Sequence, residues 1–508
     1  MGCQRNDIER RRLSTVLWRT AAVAWLVLVA CVPAFAHAPA NEAVPPTLRL
    51  PSDVRPTHYA LTMTIVPGKT TAPGEITIDI ALDRPHSTVW LNAVALTVSR
   101  VLVDGAEAHP RIDDRADQFV GLAFDPPLPA GDHRVTLAFE AQQNGNSARG
   151  LFTVKDGGAW YTLTQFEAIA ARRAFPCFDE PALKAPWQLT LRVPRELTAV
   201  ANAPVVTEKA IGDGMKEVQF AETKPLPSYL VAFAVGPFDI VDAGNVGPVK
   251  SSERRPRAAH SATAGGGEAA KLRARGDHAT PLRIVVAGGH AGDVRFAAEA
   301  IPQLLQEEEL WLGVAYPFAK LDHLAIPLNV RLAMENAGLI TYGAPILLAP
   351  RAATPPFRHG LANVAAHEMA HQWFGDLVTM AWWDDVWLNE AFATWFADKI
   401  VDAWQPGYEH GAGRVHERAD AIEADSLSSA RRIRQPIETR SDIANAFDAI
   451  TYSKGATVLG MFEGWLGDDA FRRGVLGYLD AHRYASATAD DFLGALSVAS
   501  AKPVAFTI

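Results

Sequence analysis

Cysteine is scarce in this chain, with three in 508 residues at positions 3, 31 and 177. Processing after Ala36 would leave Cys177 alone. One thiol excludes an internal disulfide, so the fold must be held by its core even in an oxidising compartment. Cys177 sits in FPCFDEP, where a nucleophilic role is open but a small, packed apolar role suits the setting better. A basic surplus is also missing. The formal net charge is −9, spread along the chain rather than gathered in a tail, which gives no electrostatic footprint for nucleic acid. Beyond the N-terminal segment no apolar run is long enough to span a bilayer, and there is no internal repeat.

The chain does have ample material to bury. Hydrophobic side chains make up 48% of 508 residues, more than one core needs, and predict at least two domains in an ordinary globular protein. Residues 1–36 read as a signal peptide. Arg5, Arg10, Arg11, Arg12 and Arg19 precede the uncharged run TAAVAWLVLVACVPAFA, which ends in the small-residue pattern Ala34-Phe35-Ala36. The expectation is export, to the periplasm or the medium. Leu28-Val29-Ala30-Cys31 also resembles a lipobox, and its use would put a lipid on Cys31 and hold the protein at a membrane surface.

Residues 45–249 predict a β domain. Short alternating segments such as YALTMTI, EITIDIAL, HRVTLAFE and WQLTLRV are separated by Pro, Gly and Asp turns, the pattern of antiparallel sheet. Residues 250–281 are rich in Arg, Ala, Gly and Ser with little to bury, and read as a flexible junction loop. From 282 to 508 longer amphipathic helices enter, one of them marked by the 3.6-residue spacing of Leu388, Ala391, Phe392, Trp395, Phe396, Ile400 and Val401.

The strongest chemical signal is VAAHEMAHQWFGD. His367 and His371 stand four apart in a helical composition, so both imidazoles share one face, one turn apart, where two nitrogens can reach one metal. Glu368 projects to the side of that face, toward a water rather than the metal. The bland alternative is a helix with two packed histidines. VWLNEAFATW shifts the balance, because Glu390 opens the next helical segment with eighteen residues between it and His371. Two histidines and one glutamate make a three-ligand site with an open fourth position, the catalytic pattern for zinc rather than the structural one. Cobalt or manganese would fit the same donors. A zinc ion there would bring water to a pKa of about 7 and polarise a carbonyl, with Glu368 as general base. A second carboxylate, Glu335 in RLAMENAGLITY, lies in an apolar setting like a strand before a glycine turn; from this stretch alone the favoured reading is a solvated edge-strand charge.

HEMAH, eighteen residues and then Glu390 resemble the gluzincin zinc aminopeptidases of the aminopeptidase N type. THYALTMTI, TQFEAIAARRAFPCFDEP, AMENAGLITY and TYSKGATVLGMFEGWLG fall in the same family's order, so the resemblance runs from about residue 45 to 500. It implies an α+β fold, an N-terminal antiparallel β-saddle domain followed by a thermolysin-like mixed α/β catalytic domain, with one zinc per chain on His367, His371 and Glu390. It also implies that Ala333, Met334, Glu335 and Asn336 form the exopeptidase motif, with Glu335 on the substrate's α-ammonium and Gln165 and Glu167 as second anchors. Tyr452 takes the place of the tyrosine that donates to the oxyanion, and Lys454 is left as structural or supporting. Leu332 stands where the family has glycine, which would narrow the channel or shift main-chain contacts. The family's C-terminal helical domain is expected to be absent after ALSVASAKPVAFTI. The implied substrates are peptides with a free N-terminal amine. A leukotriene-type epoxide hydrolase shares the zinc site, and an inactive peptide-binding homologue is the reading from a different class.

Overall fold

Residues 44–112, 118–247, 279–349, 353–406, 418–419 and 421–504 are described by the structure, a computed structural model. The chain divides into Met1–Val44 and Pro45–Ile508, and only the second is described below. The expected signal segment, Cys31 and most of the segment 250–281 lie outside the described residues.

The alternating segments form strands because every second side chain is apolar. In the pairing of Val54–Thr64 with Thr71–Leu82, and of that strand with Gly131–Gln142, the register places Leu61, Ile76 and Leu137 in one row. Leu189 and Val101 extend the row at either end, and all five are buried. Each such side chain contributes roughly 1.5–3 kcal/mol on burial. The resulting sheet has eight strands, and smaller sheets of three and four strands complete the β domain. One pairing departs from the antiparallel expectation: Val54–Thr64 runs parallel to Trp187–Pro194. Alternation encodes which face is buried, not strand direction, and strands this far apart in sequence need no hairpin. Cys177 is buried and unpaired in this core, and burial pushes its thiol well above the usual range.

A five-stranded mixed sheet opens the second half, in the order Phe238–Val246, Thr280–Ala287, Leu321–Ile326, Leu339–Gly343, Ala333–Met334. Its three central strands are parallel and its two edges antiparallel. The strand Phe238–Val246 precedes the boundary expected at 249, yet pairs with Thr280–Ala287, so its hydrogen bonds place it in this sheet. Thr280 and Pro281, read as the end of the junction loop, begin a strand. Against the sheet pack α1 (Arg295–Leu312) and α2 (Pro355–Ala370), and α3 (Trp387–Trp404) packs on both helices, followed by α4 (Gly455–Leu466), α5 (Asp468–Ala481) and α6 (Ala489–Ser500). Thr354 caps α2 by accepting from the Phe357 amide, and prolines fill its first turn, where no donor is needed. The apolar stripe expected on α3 is buried throughout. The architecture is thus a β-rich domain followed by a mixed α/β helical domain. Among the described residues no helix is long and apolar enough to cross a membrane.

The β core does not stop at the domain boundary. Met380, Trp383 and Val386 belong to the same cluster as Leu61 and Trp187, and Trp383 packs on Tyr229 at 5.3 Å. Lys184 reaches across as well. Its Nζ donates to the carbonyls of Asp376 (2.9 Å), Leu377 (3.3 Å) and Ala485 (3.3 Å) and to Thr379 Oγ1 (2.9 Å). Burial lowers its pKa to about 7. We expect Lys184→Met, which keeps the stem and removes the donors, to cost about 1.5–3 kcal/mol in chemical denaturation; an unchanged midpoint would mean that these four bonds add nothing net to the joint between the two halves.

Candidate active site

The C-terminal end of α2 and the first turn of α3 meet at one point. His367 and His371, one turn apart, bring their Nε2 atoms to 3.1 Å, and Glu390 Oε2 lies 3.4 and 3.3 Å from them. Nδ1 of His371 lies 3.1 Å from the Phe374 carbonyl, to which it donates, leaving a lone pair on Nε2. Such acceptors facing one another repel unless a cation sits among them. Their spacings match ligands on one tetrahedral zinc, about 3.3 Å apart for bonds of 2.0–2.2 Å. The electrostatics agree. Burial holds His367 below its usual range, in the neutral state a ligand needs. Burial alone would raise Glu390, but the imidazoles outweigh it and hold the carboxyl at about 2. Burial likewise opposes charge on His371, yet Glu335, Glu390 and Glu368 carry it well above its usual range, a sign of how much negative charge gathers here.

Three further carboxylates line the same space. Ligand atoms of Glu335, Glu368 and His371 lie within 4.8 Å of one another, as do those of Glu167, Glu335 and Glu390. One oxygen of Glu167 and one of Glu335 are buried with no hydrogen-bond partner. Burial raises Glu167, Glu335 and Glu368, with the neighbouring carboxylates adding to it. Glu167 comes from the β domain. It follows the strand Ala159–Gln165, whose last residue, Gln165, pairs with Gly150. The segment beyond it is tied down by a buried ion pair, Arg172 Nε to Asp179 at 2.7 Å, and Ser228 donates to the other Asp179 oxygen.

Glu335 sits in a tight turn at the sheet edge. Ala333 and Met334 pair with Tyr342 and Thr341, and the Leu339 amide closes the turn onto the Asn336 carbonyl. The Asn336 amide lies 3.5 Å from Thr341 Oγ1, so its side chain serves the turn. Among the described residues no strand pairs the outer side of Ala333–Met334. The turn is held from three directions. Gln372 Nε2 donates to the Glu335 carbonyl at 2.7 Å and its Oε1 accepts from the Gly338 amide at 3.1 Å. Asn202, from the β domain, donates to the Ala337 carbonyl at 2.8 Å. Lys320 donates to the Gly338 carbonyl at 2.6 Å. Gly338 has φ +70°, and a Cβ there would lie 2.3 Å from the Asn202 carbonyl oxygen, so the turn needs glycine on both counts. Leu332, in place of the family glycine, is 64% exposed at the rim, and its carbonyl accepts from the Gly343 amide.

Tyr452 lies on one turn of π-helix, Ile450–Lys454, leading into α4. Its ring stacks on His367 with centroids 6.1 Å apart. Burial, with Glu390, Glu167, Glu335 and Glu368, raises its pKa well above 10, so the hydroxyl stays a donor. Gly455 makes this approach possible, since a Cβ there would meet that of Ala391 on α3 at 2.6 Å. Lys454 points away and pairs with Asp425 at 2.6 Å.

Two family models match the chain. The Peptidase M1 N-terminal domain covers residues 55–230 and the Peptidase family M1 domain covers 296–507. The chain belongs to peptidase family M1. It is 32% identical over 464 residues to Aminopeptidase M1-D of Oryza sativa subsp. japonica, covering 90% of this chain and 49% of that protein. Aminopeptidase 2, mitochondrial, of Saccharomyces cerevisiae is 33% identical over 467 residues, with 90% and 46% covered. Probable aminopeptidase 2 of Sulfurisphaera tokodaii is 31% identical over 419 residues, with 82% and 48% covered. The chain spans about half the length of the curated relatives it matches.

His367, Glu368, His371, Glu390, Glu335 and Glu167 come together in this M1 chain and Tyr452 stacks on His367, while Gln165 ends the strand that leads to Glu167, and Ala333, Met334 and Asn336 belong to the strand and turn that carry Glu335. Sequence reasoning passed over Gln372 and Asn202. Each carried a faint signal: a polar residue inside an otherwise apolar stretch, beside His371 in one case and within AVANAPVV in the other. Glu390→Ala should release bound metal, and Glu368→Gln should retain it, as measured by elemental analysis of purified protein. Metal loss in the glutamine variant alone would reverse the two roles.

Proposed function

We propose that the protein is a zinc-dependent aminopeptidase that removes N-terminal residues from peptides carrying a free α-amine. The observation that carries this reading is the pair of buried carboxylate oxygens, one of Glu167 and one of Glu335, that lack a hydrogen-bond partner beside the three-ligand site, His371 Nδ1 standing 3.9 Å from that of Glu335. A metal needs His367, His371 and Glu390, so the other two carboxylates are left to bind a second cation. An ammonium with three donors suits them and would set the scissile bond one residue away. When bound, zinc would lower the pKa of water and polarise the scissile carbonyl.

Each protein group then has one task. Glu335 and Glu167 accept from the substrate ammonium, with Gln165 beside them. The edge of Ala333–Met334, unpaired among the described residues, offers backbone groups to an extended peptide, as an added strand would use them. Glu368 takes a proton from the attacking water and passes it to the leaving amine; its raised pKa, with burial the largest cause, suits both steps. The neutral Tyr452 hydroxyl donates to the oxyanion. We also infer export, on the strength of the arginine-rich start and the apolar run ending at Ala36.

Tyr452→Phe should lower kcat by roughly 10²–10³ with little change in substrate affinity. Near-normal kcat would demote this residue to packing. Acetylating the substrate amine should abolish cleavage, and internal cutting of acetylated peptides at comparable rates would make the protein an endopeptidase.

The pH dependence has a definite sign. Burial raises Glu167 and Glu335, and their charged forms bind the ammonium. Accordingly kcat/KM should fall as acid protonates them. It should fall again as the substrate α-amine loses its proton, near a pKa of about 7.7–8.0. A profile with no acid limb would remove these carboxylates from substrate binding.

A further inference from the structure

We propose that Gln372 is a positioning residue that fixes the distance between the metal ligands and the amine anchor. It follows His371 directly, so it moves with the metal-binding turn, and it is fully buried. Its amide is committed at both ends to the turn that carries Glu335. Nε2 donates to the Glu335 carbonyl at 2.7 Å, and Oε1 accepts from the Gly338 amide at 3.1 Å. The Tyr316 hydroxyl, 3.0 Å from Oε1, donates to the same oxygen, and the Tyr316 backbone amide is held by Glu309 Oε1 at 2.7 Å. From His371 to Glu335 the path is therefore one peptide bond, one side chain and one short hydrogen bond.

Among uncharged side chains of this length, an amide supplies a donor and an acceptor together. Glutamate would keep the acceptor for Gly338 and lose the donor to Glu335; leucine would lose both. The proposal rests on the aminopeptidase reading, in which the separation of amine anchor and scissile carbonyl decides what is cut. Such a separation must be held to about 0.5 Å. Gln372 does this without touching substrate or metal.

The test measures binding as well as turnover. Leucinol and N-acetyl-leucinol, which carry no scissile bond, are titrated calorimetrically into metal-loaded wild type, Gln372→Glu, Gln372→Leu and Tyr316→Phe, with metal content and thermal midpoint recorded for each. Hydrolysis of an α-aminoacyl and a β-aminoacyl anilide follows, the second placing the amine one bond further out. We expect full metal content in Gln372→Glu, about a tenfold or greater loss of preference for the free amine, a raised KM for the α-aminoacyl substrate, and a relative gain for the β-aminoacyl one. Tyr316→Phe should shift the same ratios less, by removing one bond to Oε1. Wild-type preference in metal-replete Gln372→Glu and Gln372→Leu would overturn the proposal. So would loss of metal in step with loss of preference, because Gln372 would then serve only to pack α2. If wild type itself failed to prefer the free amine, the aminopeptidase reading would fall first.

Discussion

Four carboxylates, those of Glu167, Glu335, Glu368 and Glu390, gather at one largely buried place, and the rest of the structure answers to that concentration of charge. Water normally stabilises such groups, and here little of it reaches them. Glu390 is stabilised by two imidazoles. The other three are pushed toward their neutral forms, burial being the largest cause in each. The site is thus a mould for positive charge, with one part shaped by nitrogen donors and the other by oxygen alone. On the aminopeptidase reading a metal would take the first part and an ammonium the second, and the difference in donor chemistry would keep them apart.

Holding like charges together requires a stiff frame, and this one is built mainly from hydrogen bonds to main-chain groups. The turn around Glu335 is gripped by the metal-binding turn through Gln372, by the β domain through Asn202 and by the mixed sheet through Lys320. Lys184 then joins the β domain to the loop that follows the metal helix. Apolar contacts resist separation but slide easily. Directed bonds to carbonyls and amides resist sliding, so a shared core and several such bonds together hold the two halves in one alignment.

How much of this the sequence reveals depends on whether a relation is local. His367 and His371 are legible because helix pitch turns spacing into direction, and Glu390 because it opens the next helical segment and completes a three-ligand set. The β half and the helices of the second half are legible from periodicity and composition, whereas the mixed α/β character of that second half comes only with the family resemblance. Pairing across long separations is not: nothing within Phe238–Val246 marks it for the second sheet, and nothing in Val54–Thr64 marks its parallel neighbour. Gln372 and Asn202 escape for the same reason, since their partners are backbone atoms of a distant turn that carry no residue identity. Glu335 was open between a solvated edge charge and an amine anchor until family resemblance favoured one, and in the fold it is 3% exposed.

If the protein trims peptides as proposed, the outer side of Ala333–Met334, unpaired among the described residues, bears on how a substrate would be consumed. A strand edge addresses amides and carbonyls, which are the same at every position of a chain. A terminus coiled into a helix has already spent those groups, so a frayed tail would be engaged where a folded end would be passed over. Removal of one residue presents the next with the same backbone, and trimming would continue in register until the chain offered a proline. Lacking an amide hydrogen, that residue cannot complete the ladder, and the tail would be left with proline at or near its new end.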